Sequence, residues 1–99
     1  MRALLEVELD TATSNKLITD GTIAEGIQQT LAQLKPEAAY FLSRHGRRAM
    51  VLVVDVADEA SIPSLAEPFW LQLNASVDLR PCMNADELME GLRRLGRQG

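Results

Sequence analysis

The tightest constraint on this chain lies at its beginning, where polarity alternates residue by residue. Ala3, Leu5, Val7 and Leu9 fall on one side of a period of two; Leu4, Glu6, Glu8 and Asp10 fall on the other. A period of two with one apolar side predicts a half-buried β-strand over residues 3–10. Such a strand needs neighbours to pair with and a hydrophobic layer over one face. Both must come from 99 residues, one domain's worth. A core of that size is modest against its surface, so burying more area against a second copy would stabilise it.

The remaining segments supply the partners. Thr11 to Asn15 reads as polar turn, followed by a short helical stretch around Lys16–Thr19 and punctuation at Asp20-Gly21. Thr22-Ile-Ala-Glu25 has capping-box spacing, and Ile23, Ile27, Leu31 and Leu34 form one apolar stripe. These predict a helix over 22–34, ended by Pro36. Residues 38–44 and 49–56 read as two strands joined around His45-Gly46-Arg47, with Gly46 able to supply a positive φ. The second of them is apolar on both faces and belongs in the middle of a sheet. Ser61-Ile-Pro63 opens a further helix with the stripe Ile62, Leu65, Phe69 and Leu73, which Pro68 is expected to kink or split. Residues 75–82 alternate as a fourth strand. Asn84-Ala-Asp-Glu87 then starts a terminal helix carrying Leu88, Leu92 and Leu95, expected to fray at Gly96.

The order strand, helix, strand, strand, helix, strand, plus a terminal helix, is the split βαβ arrangement of ferredoxin-like α+β domains. Both crossovers are expected to join parallel neighbours, right-handed, with their helices on one face. The opposite face is then uncovered. It carries Leu4, Glu6 and Glu8 from the first strand and Ser76, Asp78 and Arg80 from the last, with apolar residues of the third strand between them. A second sheet packed on this face accounts for its mixed character better than solvent does, which predicts a homodimer.

Four segments carry a family resemblance: Leu34-Lys-Pro-Glu-Ala-Ala-Tyr-Phe41, Ile62-Pro-Ser-Leu-Ala-Glu-Pro-Phe69, Leu73-Asn-Ala75 and Pro81-Cys-Met-Asn-Ala-Asp86. In this order, over nearly the whole chain, they resemble a family of small uncharacterised bacterial proteins in the dimeric α/β-barrel superfamily. The resemblance implies a homodimer in which two four-stranded sheets form a barrel. The superfamily includes muconolactone isomerases, haem-degrading and quinone-forming monooxygenases, and polyketide cyclases, whose ligands usually sit between the sheet and its own helices. No catalytic residue carries over position by position.

Composition narrows the partners. A formal charge of −4 argues against nucleic acid or an anionic membrane. RNA-binding versions of this topology stack bases on aromatics of the two central strands, and residues 3–10 and 49–56 have none. The longest apolar run, Ala49 to Val54, is far short of the roughly 20 residues of a membrane helix. A charged strand beginning at Arg2 leaves no room for an apolar leader. One cysteine, Cys82, excludes an internal disulfide and suits a reducing compartment, so the cytoplasm is expected. One histidine excludes a multi-histidine metal site, and no other ligand spacing is present, so neither metal nor cofactor is expected. Phosphate-cradling and dinucleotide glycine motifs are missing as well.

Three groups of residues merit a chemical reading. His45, in Arg44-His-Gly-Arg-Arg48, reads as a general base or anion site, or more simply as a solvated turn whose charges discourage edge pairing. Glu6, Glu8, Asp78 and Arg80 converge on the open face, either as a polar barrel interior or as a structural ion-pair network. Tyr40, Glu67, Trp70 and Asn74 are candidates to line a pocket between helix and sheet for a small hydrophobic or aromatic ligand; ordinary packing of Tyr40 and Trp70 is the simpler account. Cys82 has no activating neighbour in sequence and reads as a buried, inert thiol. Two functions stay open: a cofactor-free small-molecule enzyme or binder, and a non-catalytic dimeric accessory or stress module.

Overall fold

The computed structural model describes residues 1–96. Strand β1 spans Arg2–Glu8, followed by helices α1 (Thr11–Asp20) and α2 (Ile23–Leu34). Strands β2 (Ala38–Arg44) and β3 (Arg47–Asp55) form a hairpin. A 3-10 turn at Glu59–Ser61 leads into helix α3 (Ile62–Leu73), then strand β4 (Ser76–Pro81) and helix α4 (Ala85–Gly96).

The four strands make one sheet in the order β2-β3-β1-β4, and every pairing is antiparallel. That corrects one expectation. The strands joined by each crossover run parallel to one another but are not neighbours: β3 lies between β1 and β2, and β1 between β3 and β4. β1 and β3 occupy the centre, as their hydrophobicity requires.

Register and the period of two fix the two faces. Leu5 opposes Leu52, Ala3 opposes Val54 and Val7 opposes Met50, and all six are buried. Leu31 and Leu34 of α2, with Leu65, Phe69 and Leu73 of α3, pack on them. Leu5 and Leu52 have no exposed surface at all, so this helix-covered side is the core. On the opposite side Leu4 opposes Val53, Glu6 opposes Val51 and Glu8 opposes Ala49.

Local chemistry explains most boundaries. The β2–β3 turn holds both His45 (φ 54°) and Gly46 (φ 73°) in the left-handed region, the two-residue geometry that matches strand twist. The hairpin therefore pairs down to Arg44 opposite Arg47, and β3 begins two residues earlier than its apolar run. Helix α1 covers the whole stretch expected to be turn. Asp10 caps it, accepting from the Thr13 backbone N–H at 2.9 Å and the Thr13 hydroxyl at 2.8 Å. Buried Ser14 donates to the Asp10 carbonyl at 2.9 Å, while Arg48 of β3 donates to Ser14 Oγ and Asn15 Oδ1, each at 2.8 Å. Tertiary hydrogen bonds thus stabilise a helix whose own propensities are poor.

The capping box expected at Thr22 does not form. Its ψ of −7° departs from the extended cap conformation, its side chain makes no cap bond, and Glu25 instead accepts from Gln29. The box at Asn84 does form: Asn84 Oδ1 accepts from the Glu87 N–H and Glu87 accepts from the Asn84 N–H, each at 2.8 Å. Pro68 does not divide α3, which runs unbroken from Ile62 to Leu73. The carbonyl that proline deprives of a donor belongs to Ser64, an exposed residue that water can reach.

Candidate functional site

Two concavities are built on the two faces of the sheet. The first lies between sheet and helices, encloses about 210 Å³, and is lined by α1, α2, α3 and the sheet. Leu9, Ile27, Leu31, Met50, Phe69 and Leu73 form its apolar wall, with Thr22, Thr30 and Gln72 as its polar groups. Local structure accounts for the two threonines. Thr22 is free of capping duty, as its backbone dictates. Thr30 donates its hydroxyl back to the Gly26 carbonyl at 3.0 Å, so its oxygen can still accept. Gly26 lines the same pocket, and a β-carbon built there meets nothing within 4 Å. The lining carries no titratable side chain. This geometry offers apolar contact and one or two hydrogen bonds to a neutral molecule, not proton transfer.

The second concavity, about 400 Å³, lies on the other face and is bordered by Glu6, Glu8, Leu42, Arg44, His45, Val51, Ser76 and Asp78. Glu6 is its centre. Arg80 reaches one carboxylate oxygen at 2.5 Å and Arg44 pairs with the other. Arg80 also lies 3.7 Å from Asp78, and His45 Nδ1 lies 2.8 Å from Glu8. The Arg44 hydrogen bond, more than the opposing desolvation, holds the Glu6 carboxyl below the usual carboxylate range, and Arg80 adds to it. Glu6, Glu8, Asp78 and Arg80 do come together, joined by Arg44 and His45 from the β2–β3 hairpin.

That pairing alters the reading of the basic hairpin. Arg44 is engaged by Glu6, His45 by Glu8, and Arg48 by Ser14 and Asn15. Three of its four charged or chargeable side chains thus face carboxylates or helix α1, which leaves little for an anion. Sequence spacing hid this, because Glu8 is 37 positions from His45 and the link exists only through strand register.

The four residues expected to line a helix-side pocket are not assembled into one. Tyr40 opposes Val51 and so projects from the open face, 68% exposed, while Trp70 is half-exposed on α3 across the sheet. Glu67 is exposed on α3. Asn74 ends α3 in the left-handed region (φ 49°), and its side chain adds slightly to the lowering of the Asp10 carboxyl that the Thr13 backbone N–H chiefly causes. The concavity between helices and sheet has a different lining: Thr22, which the sequence offered as a helix cap, and Gly26 and Thr30, to which it drew no attention. Cys82 is half-buried rather than buried, beside Met1 and Met83. Among the described residues no group of three or more His, Cys, Asp or Glu could hold a metal, and no helix is long and apolar enough to cross a membrane. Comparison with protein families, curated proteins and solved structures finds no match for the chain.

Proposed function

We propose that this chain is a ferredoxin-like domain of the dimeric α/β-barrel kind, acting in the cytoplasm as a homodimeric binder of a small, neutral, largely apolar molecule. The pocket beneath the helices carries the ligand half of the reading. At about 210 Å³ it is smaller than the roughly 300–1,000 Å³ of drug-sized sites, which suits a molecule of one or two rings with a single hydroxyl or carbonyl. Because its walls hold no ionisable group, binding is the role supported best. Chemistry on the ligand would have to come from the ligand's own reactivity.

The open face supports the dimer half. Leu4, Val51 and Val53 are half-exposed there, Tyr40 and Leu42 are exposed, and the Glu6 network borders them. Contiguous apolar surface rimmed by charge is the character of an interaction surface.

The pocket is tested with 2-naphthol, a neutral two-ring probe, followed by fluorescence and thermal shift. Gly26→Leu adds bulk at the pocket lining, where a β-carbon meets nothing within 4 Å, and replaces a helical glycine at a gain on the order of 1 kcal/mol. The expected result is saturable binding by wild type and at least tenfold weaker binding by a variant of equal or higher stability. Binding that Gly26→Leu leaves unchanged, or no binding by either, overturns the ligand reading. The second reading, a non-catalytic dimeric accessory module, then stands on the open face alone.

A further inference from the structure

Helix α4 is the most strongly amphipathic of the four helices, and none of its residues is buried. Leu88, Met89, Leu92 and Leu95 are each between 42 and 66% exposed. A free twelve-residue helix is marginal in water, since isolated helices need about 12–15 residues even with good propensities. This one needs something to lie on.

Its own chain does not supply it. The face that α4 turns toward Met1, Arg2, Pro81 and Cys82 carries Glu87, Glu90, Gly91 and Arg94. At about 100° per residue, Leu88, Leu92 and Leu95 stand roughly 80–140° round the helix from Glu87, to the side of that contact, and all three are exposed. The apolar stripe is left uncovered by its own chain.

The dimensions agree. The radius of gyration is 16.2 Å, against about 13 Å for a compact chain of this length. The accessible surface is 6865 Å², against about 5,600 Å² for a compact monomer of 10.9 kDa. The surplus, on the order of 1,300 Å², exceeds the roughly 800 Å² that each partner buries in a standard interface. The root of the helix is also fixed beside the open face. Arg2, which shares that face with Leu4, bonds Glu37 at 2.9 Å and pairs with Glu87.

We infer that α4 is an arm closing on a second copy of this chain, with Leu88, Leu92 and Leu95 against the partner. In a twofold pair each copy gives one arm and receives one. The inference rests on the dimer reading above and adds its grip. A lipid surface is the poorer occupant, because interfacial helices are rich in Lys and Arg, whereas α4 offsets Arg93 and Arg94 with Asp86, Glu87 and Glu90.

The test is the association of the full chain by light scattering and sedimentation at micromolar concentration. Wild type should have about twice the 10.9 kDa chain mass, and Leu88→Glu/Leu92→Glu should dissociate at least 100-fold more readily. A double variant as tightly dimeric as wild type overturns the arm and leaves the sheet-face dimer standing. A monomeric wild type overturns both. Because the variant can fail by unfolding, a mixed dimer of isotope-labelled and unlabelled wild-type chains gives an independent reading. Contacts from the Leu88 and Leu92 methyls to the other chain support the arm, and contacts confined to one chain sink it.

Discussion

The two faces of the sheet are made from the same backbone and are finished in opposite ways. On the helix-covered side, Leu5 and Leu52 face each other with no exposed surface and take α2 and α3 as their roof. One residue along in each strand, Glu6 and Val51 face each other on a side that no described helix covers. The first face closes by apolar contact within one chain. The second is held by ion pairs that Glu6 makes with Arg44 and Arg80, beside apolar residues still in contact with water. A period of two therefore does more than bury a strand: it divides the protein into a side that makes the core and a side that no described helix covers.

The comparison breaks most visibly at adjacent residues. Leu52→Ala should cost about 3 kcal/mol, within the 2–5 typical of buried leucines, by urea denaturation. Val53→Ala, next to it but half-exposed, should cost well under half of that when the chain is dilute. If the open face pairs two copies, the Val53 cost should grow with protein concentration, because association adds to the stability of the folded state by mass action. Equal costs at every concentration would mean that the two faces do not differ as described.

The division into faces was legible in the sequence because it depends on local alternation. Ala3, Leu5, Val7 and Leu9 point to the core as the pattern demands, and the stripes of α2, α3 and α4 match their helices. What depends on tertiary contact was not. The first half of helix α1, Thr11 to Asn15, looked like turn because its stabilising bonds come from Asp10 and from Arg48 of β3. Tyr40 was placed in a pocket on residue type alone, whereas its register opposite Val51 sends it the other way. The observed lining, with Thr22, Gly26 and Thr30, carries no compositional signal, since threonine and glycine at or within a helix have ordinary structural uses.

The next effect bears on the open face itself. If the open face pairs two copies, Val51→Lys at its middle should weaken that pairing about 100-fold, equivalent to about 2.8 kcal/mol at 1.4 kcal/mol per decade. The monomer's secondary structure should be unchanged by circular dichroism. A Val51→Lys protein that sediments as wild type would show that the association surface lies elsewhere.

Trp70 sharpens the other side. It is 45% exposed and lies outside the lining of the helix-side pocket. Trp70→Ala should therefore cost about 1 kcal/mol, short of the 3–5 for a buried aromatic, and leave 2-naphthol affinity within twofold of wild type. Loss of probe binding in this variant would move the ligand site to the outer surface of α3.

The smallest effect expected is on the acid limb of the stability curve, and it isolates the ion-pair network. Glu6 has its carboxyl lowered in the folded chain, chiefly by the Arg44 hydrogen bond. A group lowered on folding contributes its stabilisation above its unfolded pKa, about 4.3 for glutamate, and loses it as pH falls through the folded value. Wild type should therefore weaken progressively below about pH 5. Asp10, lowered mainly by the Thr13 backbone N–H, and Glu87, lowered mainly by that of Asn84, also lose stabilisation as the pH falls. The wild-type curve alone cannot assign the loss to Glu6, so the measurement is a difference. The thermal midpoints of wild type and Glu6→Gln should be furthest apart at neutral pH and converge in acid, since protonated Glu6 and glutamine are both neutral. Arg44→Met should reproduce that convergence by removing the partner instead. A constant offset from pH 7 to pH 2 in both variants would mean that Glu6 acts by packing, and that charge does not distinguish the open face from the core.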